Sequence, residues 1–385
     1  MRLGVTIRSK GGRTMRHRTS VPVVGCLVVA VATLVLAPCD ARAQYQVTSQ
    51  DGKASLKIGV LAQVQGEAVE TTDASQWSKN LFLRRARLMF GGTLTDKLSF
   101  FVETDSPNLG KSGHKTDDTY IQDAFVTWSE GDAFKVDAGM ILLPLSHNHM
   151  QGAGTLLPVD YGPYSFAESS HMAEQVGRDY GVQVRGYVLN KHLEYRAGAF
   201  QGQRNSGSLT TDTNPFRTAA RVVWYPFDAD TGFFYSGTFL GAKKVVALGG
   251  SYDAQRDYRA WALDAFWDWP VAGGDAITLQ ADWMDFRPDP TFPPPSDATK
   301  QLYEQSNWLF EGGYYFHGVK LEPFVQLTSV DYSDAARADE SRYRVGLAWW
   351  LSGHKFNLKL AAGRIDRDGA PDRNEVVLQM QLLAY

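Results

Sequence analysis

The chain has 385 residues, with 39 Lys+Arg against 42 Asp+Glu and only two cysteines. A near-neutral, slightly acidic balance lacks the basic footprint of nucleic-acid binding, so no nucleic-acid partner is expected. Beyond the N-terminus, no hydrophobic segment reaches the ~20 residues a membrane-spanning helix needs.

The N-terminus reads as a secretion signal. Arg8, Lys10, Arg13, Arg16 and Arg18 precede an apolar run from Val21 to Ala37, and Ala41-Arg42-Ala43 has the A-x-A form of a cleavage site. Residues 1–43 are expected to be removed, with Met15 as an alternative start. A membrane anchor is disfavoured by the shortness of the run, and lipidation at Cys39 by Pro38 before it. Both cysteines, Cys26 and Cys39, lie in this segment. The mature chain, 44–385, therefore has no disulfide in a compartment that permits them. It keeps 32 basic residues against 41 acidic, since residues 1–43 hold seven basic groups and one acid.

From Ala54 onward the chain alternates apolar and polar residues. Leu56, Ile58, Val60, Ala62 and Val64 alternate with Lys57, Gly59 and Gln63. Phe134, Val136, Ala138 and Met140 alternate with Lys135 and Asp137, and Tyr180, Val182 and Val184 with Asp179, Gln183 and Arg185. Further on, Trp261, Leu263, Ala265 and Trp267 alternate with Asp264 and Asp268. Tyr343, Val345 and Leu347 alternate with Arg342 and Arg344, and Phe356, Leu358 and Leu360 with Asn357 and Lys359. A soluble sandwich also alternates, but here charges recur in mid-strand on the polar face. Trp128, Trp224, Trp267, Trp269, Trp349 and Trp350 fall near strand ends, as in interfacial girdles. Links such as Ser129–Asp132, Asn190–Lys191 and Trp269–Asp275 are short, while Ser106–Asp118, Gln201–Pro215 and Arg287–Gln301 are long and polar. The expectation is one all-β domain: a transmembrane antiparallel β-barrel of about 16 strands in outer-membrane lipid. The last strand ends in Tyr385, but Leu383 and Tyr385 share parity with Gln379 and Gln381. A bulge near Leu382–Leu383 would restore the phase.

Leu142 to Val176 is the longest stretch without alternation and holds Pro144, Pro158 and Pro163. A long loop in a compact domain is usually functional. Its apolar content suits a loop folded into the barrel as a constriction, with Asp160, Glu168, Glu174 and Arg178 as its charged groups. The alternative is an exposed loop with ordinary solvated charges. His147, His149 and His171 with Glu168 and Glu174 have the residue types of a metal site but no ligand spacing, so no metal is expected. There is no G-x-S-x-G, P-loop or H-E-x-x-H. Neither enzyme chemistry nor a cofactor is expected.

Several stretches together resemble the phosphate-selective porin O and P family of Gram-negative outer membranes. They are Leu83-Arg84-Arg85-Ala86-Arg87-Leu88, Ile121-Gln122-Asp123-Ala124-Phe125-Val126 and Ala138-Gly139-Met140 to Pro144-Leu145. Gly177-Arg178-Asp179-Tyr180-Gly181-Val182-Gln183 and Gly353-His354-Lys355-Phe356-Asn357-Leu358-Lys359 add to the likeness. The resemblance implies a homotrimer of 16-stranded barrels with passive diffusion of small hydrophilic solutes or inorganic anions. Pore-lining candidates for an anion track are Arg85, Arg87, Arg185, Arg196, Arg221, Arg344 and Lys359. Arg85 and Arg87 serve either such a track or pairs with Glu103 and Asp123 that brace the wall. The mature chain is acidic where phosphate-selective members are strongly basic inside, so a general porin is the expectation and phosphate an open question. A non-conducting barrel whose loops bind a surface ligand is the alternative.

Overall fold

The computed structural model describes residues 45–113, 118–204, 213–295 and 297–385. The expected signal peptide and its cleavage site lie outside them. Period-two alternation gives a segment two unlike faces, and a closed wall can put one toward water and the other toward lipid. The strands are β1 (Tyr45–Thr48), β2 (Ser55–Glu70), β3 (Trp77–Thr93), β4 (Leu98–Asp105), β5 (Tyr120–Ser129), β6 (Lys135–Leu142), β7 (Arg178–Val188), β8 (Leu193–Phe200) and β9 (Arg217–Trp224). They continue as β10 (Val245–Gln255), β11 (Tyr258–Pro270), β12 (Ala276–Arg287), β13 (Gln305–Tyr315), β14 (Leu321–Tyr332), β15 (Glu340–Trp349), β16 (Leu351–His354), β17 (Phe356–Arg367) and β18 (Arg373–Ala384).

All but β1 and β16 form the barrel, sixteen strands paired antiparallel in chain order. β18 pairs back onto β2, from Glu375 opposite Val69 to Ala384 opposite Val60, and closes the wall. A closed wall leaves no ladder group unpaired, which hydrocarbon requires. β1 lies on Ser55–Ile58 of β2, just past the point where β18 stops.

The faces follow the alternation. In β9, Arg217, Ala219, Arg221 and Val223 are buried inside, while Thr218, Ala220, Val222 and Trp224 are exposed outside. Trp128, Trp224, Trp267 and Trp349 are outward near the strand ends. Trp350, expected beside them, is turned inward and donates its Nε1–H to Glu322 at 2.7 Å. Without a bulge successive residues alternate faces, and Trp349, the last residue of β15, occupies the outer one. The expected bulge near Leu382–Leu383 is also absent. Leu382 and Leu383 pair in register with Ala62 and Leu61, and Leu383 and Tyr385 pack inward beside Ala153.

One end of the barrel carries short turns apart from one long segment, and the other carries the remaining long loops together with short links such as β10–β11 and β17–β18. β10 and β11 are joined at the loop end by Arg256–Asp257 alone. At the turn end, residues 225–244 join β9 to β10 as a long segment that enters the barrel, burying Tyr225 and Tyr235.

Residues 143–177 enter from the loop end. Their Leu143, Leu145, Met150, Leu156 and Leu157 are buried against the inner wall. Ser146 caps the single helical turn α1 (His147–Met150), its Oγ accepting from the His149 N–H at 3.2 Å. The two intruding segments meet in mid-barrel. Gly152 N–H donates to the Tyr235 carbonyl, and Tyr235 N–H to that of Met150, each at 2.9 Å. Together they pack against the inner faces of β9 to β12, and Leu157 and Val159 of the inner loop pack against β12 to β18. Open space is left along β18, β2, β3, β4 and β5.

Candidate functional site

Two bulges aim the residues of that open wall. In β3, Gln63 faces Arg85 and Val64 faces Leu83, so Arg84 is the extra residue. In β5, Glu103 faces Asp123 and Thr104 faces Ile121, so Gln122 is extra. A bulge shifts the pleat by one, and two adjacent side chains then turn the same way. Arg84 and Arg85 both reach Asp160 of the inner loop, at 2.6 and 2.7 Å. Gln122 and Asp123 are both buried and face Arg178, which contacts Asp123 at 3.3 Å.

The open space forms two cavities. The loop-end cavity, about 680 Å³, is lined by Arg84, Arg85, Arg87, Arg178, Arg342, Arg344, Arg373, Lys111 and Lys300. Its lining acids are Glu67, Asp105, Asp160 and Glu375. The turn-end cavity, about 520 Å³, has a largely apolar lining that includes Leu61, Met89, Phe101, Phe125, Phe234 and Tyr385. Arg87 and Arg178 border both and mark the neck between them.

The expected site residues divide by place. Arg85, Arg87, Arg178 and Arg344 line the loop-end cavity, and Arg185 the turn-end cavity. Their guanidiniums are committed to carboxylates: Arg87 to Glu103 and Asp105, Arg185 to Asp137, Arg344 to Glu375. Arg196, Arg221 and Lys359 line neither lumen cavity, contrary to expectation. They lie under the intruding segments and hold them. Arg196 pairs with Glu194 and donates to the Phe233 carbonyl at 2.9 Å. Arg221 pairs with Asp264 and donates to the Leu145 carbonyl, each at 2.6 Å. Lys359 donates to the carbonyls of Leu156 and Pro158 at 2.5 and 3.0 Å. Removing one partner of a buried pair leaves an uncompensated charge, at a cost of about 3–5 kcal/mol. That magnitude favours anchoring as the work of Arg196 and Arg221, and Lys359 anchors the loop through the two carbonyls.

The loop's own charges also divide. Asp160 stands at the neck's upper edge, and Arg84 and Arg85 hold its carboxyl well below the ordinary range against the opposing effect of burial. Glu168 and Glu174 lie deeper. Glu168 meets His149 at 3.0 Å, and Glu174 is bonded to Arg217. Burial pushes Glu168 up to about 7 and Glu174 to about 8, and depresses His149 to about 3. These three are the only part of the suspected metal constellation brought together, within 4.8 Å. The acid and the imidazole bond each other and Arg217 holds the second acid, while Glu168 Oε2 and His149 Nδ1 are buried without a hydrogen-bond partner. His147 lies elsewhere, stacked between Phe266 and Tyr235 at 4.3 and 5.0 Å, and His171 sits beside Phe292 and Tyr258.

Arg84, Gln122, Arg373 and the whole turn-end cavity were not picked out from the sequence. Two of them sit on bulges, and strict parity assigns a bulged residue to the wrong face.

Residues 61–248 match the family model of phosphate-selective porin O and P. The match spans 188 of the 385 residues, and over them the chain is similar to that porin family. No curated protein matches it. Among solved structures, the porin is similar to the anion-selective porin of Comamonas acidovorans, with 13% identity, TM-score 0.61, and 86% of this chain and 100% of the other covered. It is also similar to OmpF of Salmonella typhi, with 13% identity, TM-score 0.58 and 88% and 100% covered. OmpT of Vibrio cholerae, solved in its trimer form, gives 10%, 0.53, 86% and 99%. At such identities these likenesses speak to the fold. The family and the barrel make this an outer-membrane porin, a water-filled channel for passive diffusion of small hydrophilic solutes and ions, and its family and fold are those of non-enzymatic channels.

Proposed function

We propose that this porin is a general diffusion channel with a modest preference for anions. The observation that carries the reading is the lining of the loop-end cavity, where nine basic side chains face four acidic ones. Glu103, Asp123 and Glu340, bonded to Arg87, Arg178 and Arg342, reduce the excess without removing it. A narrow wet passage responds to the charges on its own wall, so a net acidic chain can still favour anions. Of the lining arginines, only Arg373 has no ion pair among the described residues. At every lining arginine except Arg373, a phosphate seeking a bidentate guanidinium would have to displace a carboxylate first. Phosphate is therefore read as one permeant anion among others.

In this reading residues 1–43 are a cleaved signal, 44–385 the mature barrel domain, and the assembly a homotrimer, which is how OmpT was solved. The porin has no enzymatic activity. The test is single-channel current in a planar bilayer under a potassium chloride gradient. A reversal potential on the anion side with conductance steps in threes supports the reading. A cation-side potential refutes the anion preference, and single steps refute the trimer.

A further inference from the structure

One cluster inside the inner loop is short of positive charge. His149 stands on α1, and Glu168 and Glu174 on the limb that returns to β7. One nitrogen or oxygen of each lies within 4.8 Å of the others. All three side chains are wholly buried. Arg217 is bonded to Glu174 and also to Asp253, so one guanidinium already serves two carboxylates. Glu168 has only the His149 imidazole, 3.0 Å from its Oε1, and its Oε2 is buried without a partner. The neighbouring guanidinium, Arg178, is taken by Asp123 and the Val176 carbonyl. Three buried carboxylates are thus left to one bonded guanidinium, a deficit of two charges. Buried carboxylates are paired or coordinate metals. There is also room beside the imidazole. Gly177 faces the ring, and a Cβ added to it would stand 2.7 Å from Nε2, in space that the glycine leaves open. The Phe166 ring covers the imidazole from 4.6 Å.

We propose that the inner loop binds one divalent transition-metal ion, of the Zn²⁺ type, through His149 Nε2, Glu168 and Glu174. One such ion makes up the deficit and occupies the orphaned side of Glu168. An imidazole among carboxylates suits Zn²⁺, whereas Ca²⁺ and Mg²⁺ take oxygen ligands alone. Ligands on bonds of about 2.0–2.2 Å lie at most about 4 Å apart, so the three side chains draw in by roughly 1 Å. The ion takes the place of a proton between acid and imidazole. Arg217 keeps its bond to Glu174, because a carboxylate has lone pairs for both. The ion then ties α1 to the returning limb and stiffens the constriction from within. The ligands meet only in the fold, which is why their spacing follows no ligand motif.

The experiment refolds the mature porin in detergent with Zn²⁺ or with EDTA, desalts it and measures bound zinc by elemental mass spectrometry. One ion per chain is expected after Zn²⁺ and none after EDTA. Glu168→Gln and His149→Gln should each bind at least about 100-fold more weakly, since loss of an outer partner alone costs about 10–100-fold. His192→Ala with His317→Ala, both exposed, should bind as the wild type does. Heat-modifiable mobility in SDS verifies folding. Should a ligand variant fail to fold, Co²⁺ on the wild type decides: visible bands of a coordinated ion that EDTA abolishes support the site, and the spectrum of the aqueous ion overturns it. No retained zinc overturns the proposal. So does wild-type binding in Glu168→Gln, or loss of binding in the surface double variant. Metal content is read without current, so failure here leaves the channel reading standing, and a silent pore leaves this inference standing.

Discussion

Arg84 and Arg85 are neighbours in sequence, yet both point into the lumen and grip one carboxylate, Asp160, from β3. On a regular strand one of them would face lipid. The bulge removes that cost and ties the inner loop to the wall of the loop-end cavity.

Asp160→Asn should free both guanidiniums toward the water path. The chloride-over-potassium permeability ratio should rise by roughly two- to fivefold, the scale expected for a one-charge change in a narrow lumen. Arg84→Gln with Arg85→Gln should move it the other way. Reversal potentials that stay at the wild-type value in both variants would show that the clamp lies off the ion path.

The intruding turn-end segment should be a determinant of conductance. Replacing residues 229–241 with a short flexible turn removes Phe233, Phe234 and Tyr235, and with Tyr235 the hydrogen bonds to Met150 and Gly152. Channel steps should become larger and noisier as the inner loop loses its partner. Steps of wild-type size and quietness would mean that the segment only packs the wall.

Alternation made the barrel legible in the chain. Arg217 to Trp224 and Trp261 to Asp268 need no more than parity to place their faces. Arg84 and Gln122 were illegible because a bulge leaves no local mark in composition, and one inserted residue reverses the assignment on one side of it. Lys359 and Arg221 carry the right parity but meet loop carbonyls rather than open water. Parity tells which way a residue faces and not what fills the space in front of it. Phe233-Phe234-Tyr235 read locally like part of a strand, and their descent into the lumen depends on partners such as Met150, far away in sequence.

Docking of the inner loop should weaken in acid through His147. Burial lowers its folded value to about 4 from the ordinary 6.5, with Asp264 and Arg221 nearby acting in opposite senses. A histidine depressed on folding contributes stability that is complete above its unfolded value and is lost as pH falls toward the folded one. The window is therefore about pH 6.5 down to about 4. Current fluctuations should grow across it, and His147→Phe, which keeps a stacked ring without the charge, should reduce the increase, with His149 and His171 of the same loop, also depressed by burial, supplying the rest. An identical pH course in the variant would assign the effect to other groups.

The closed wall predicts that folded protein resists SDS at room temperature and shifts mobility on boiling. Gly139→Ala should abolish the folded band. Its φ is +134°, and an added Cβ would lie 2.3 Å from the Ala124 carbonyl oxygen of the neighbouring strand. The backbone conformation alone costs an alanine on the order of 1–3 kcal/mol, before the clash is counted. Wild-type heat resistance in this variant would show that β5 and β6 can separate locally.

A barrel entered by its own chain from both mouths constrains the order of its own making. The inner loop comes from the loop end and residues 225–244 from the turn end, and they bond midway, at Gly152 and Tyr235. The wall around them becomes complete only when β18 meets β2, the pairing that joins the most distant parts of the barrel sequence. Because the finished wall has no side entrance, the two segments either lie in place before that seam zips or thread in afterward through opposite mouths. The seam thus separates two routes of assembly, one that wraps the sheet around its contents and one that fills a finished tube.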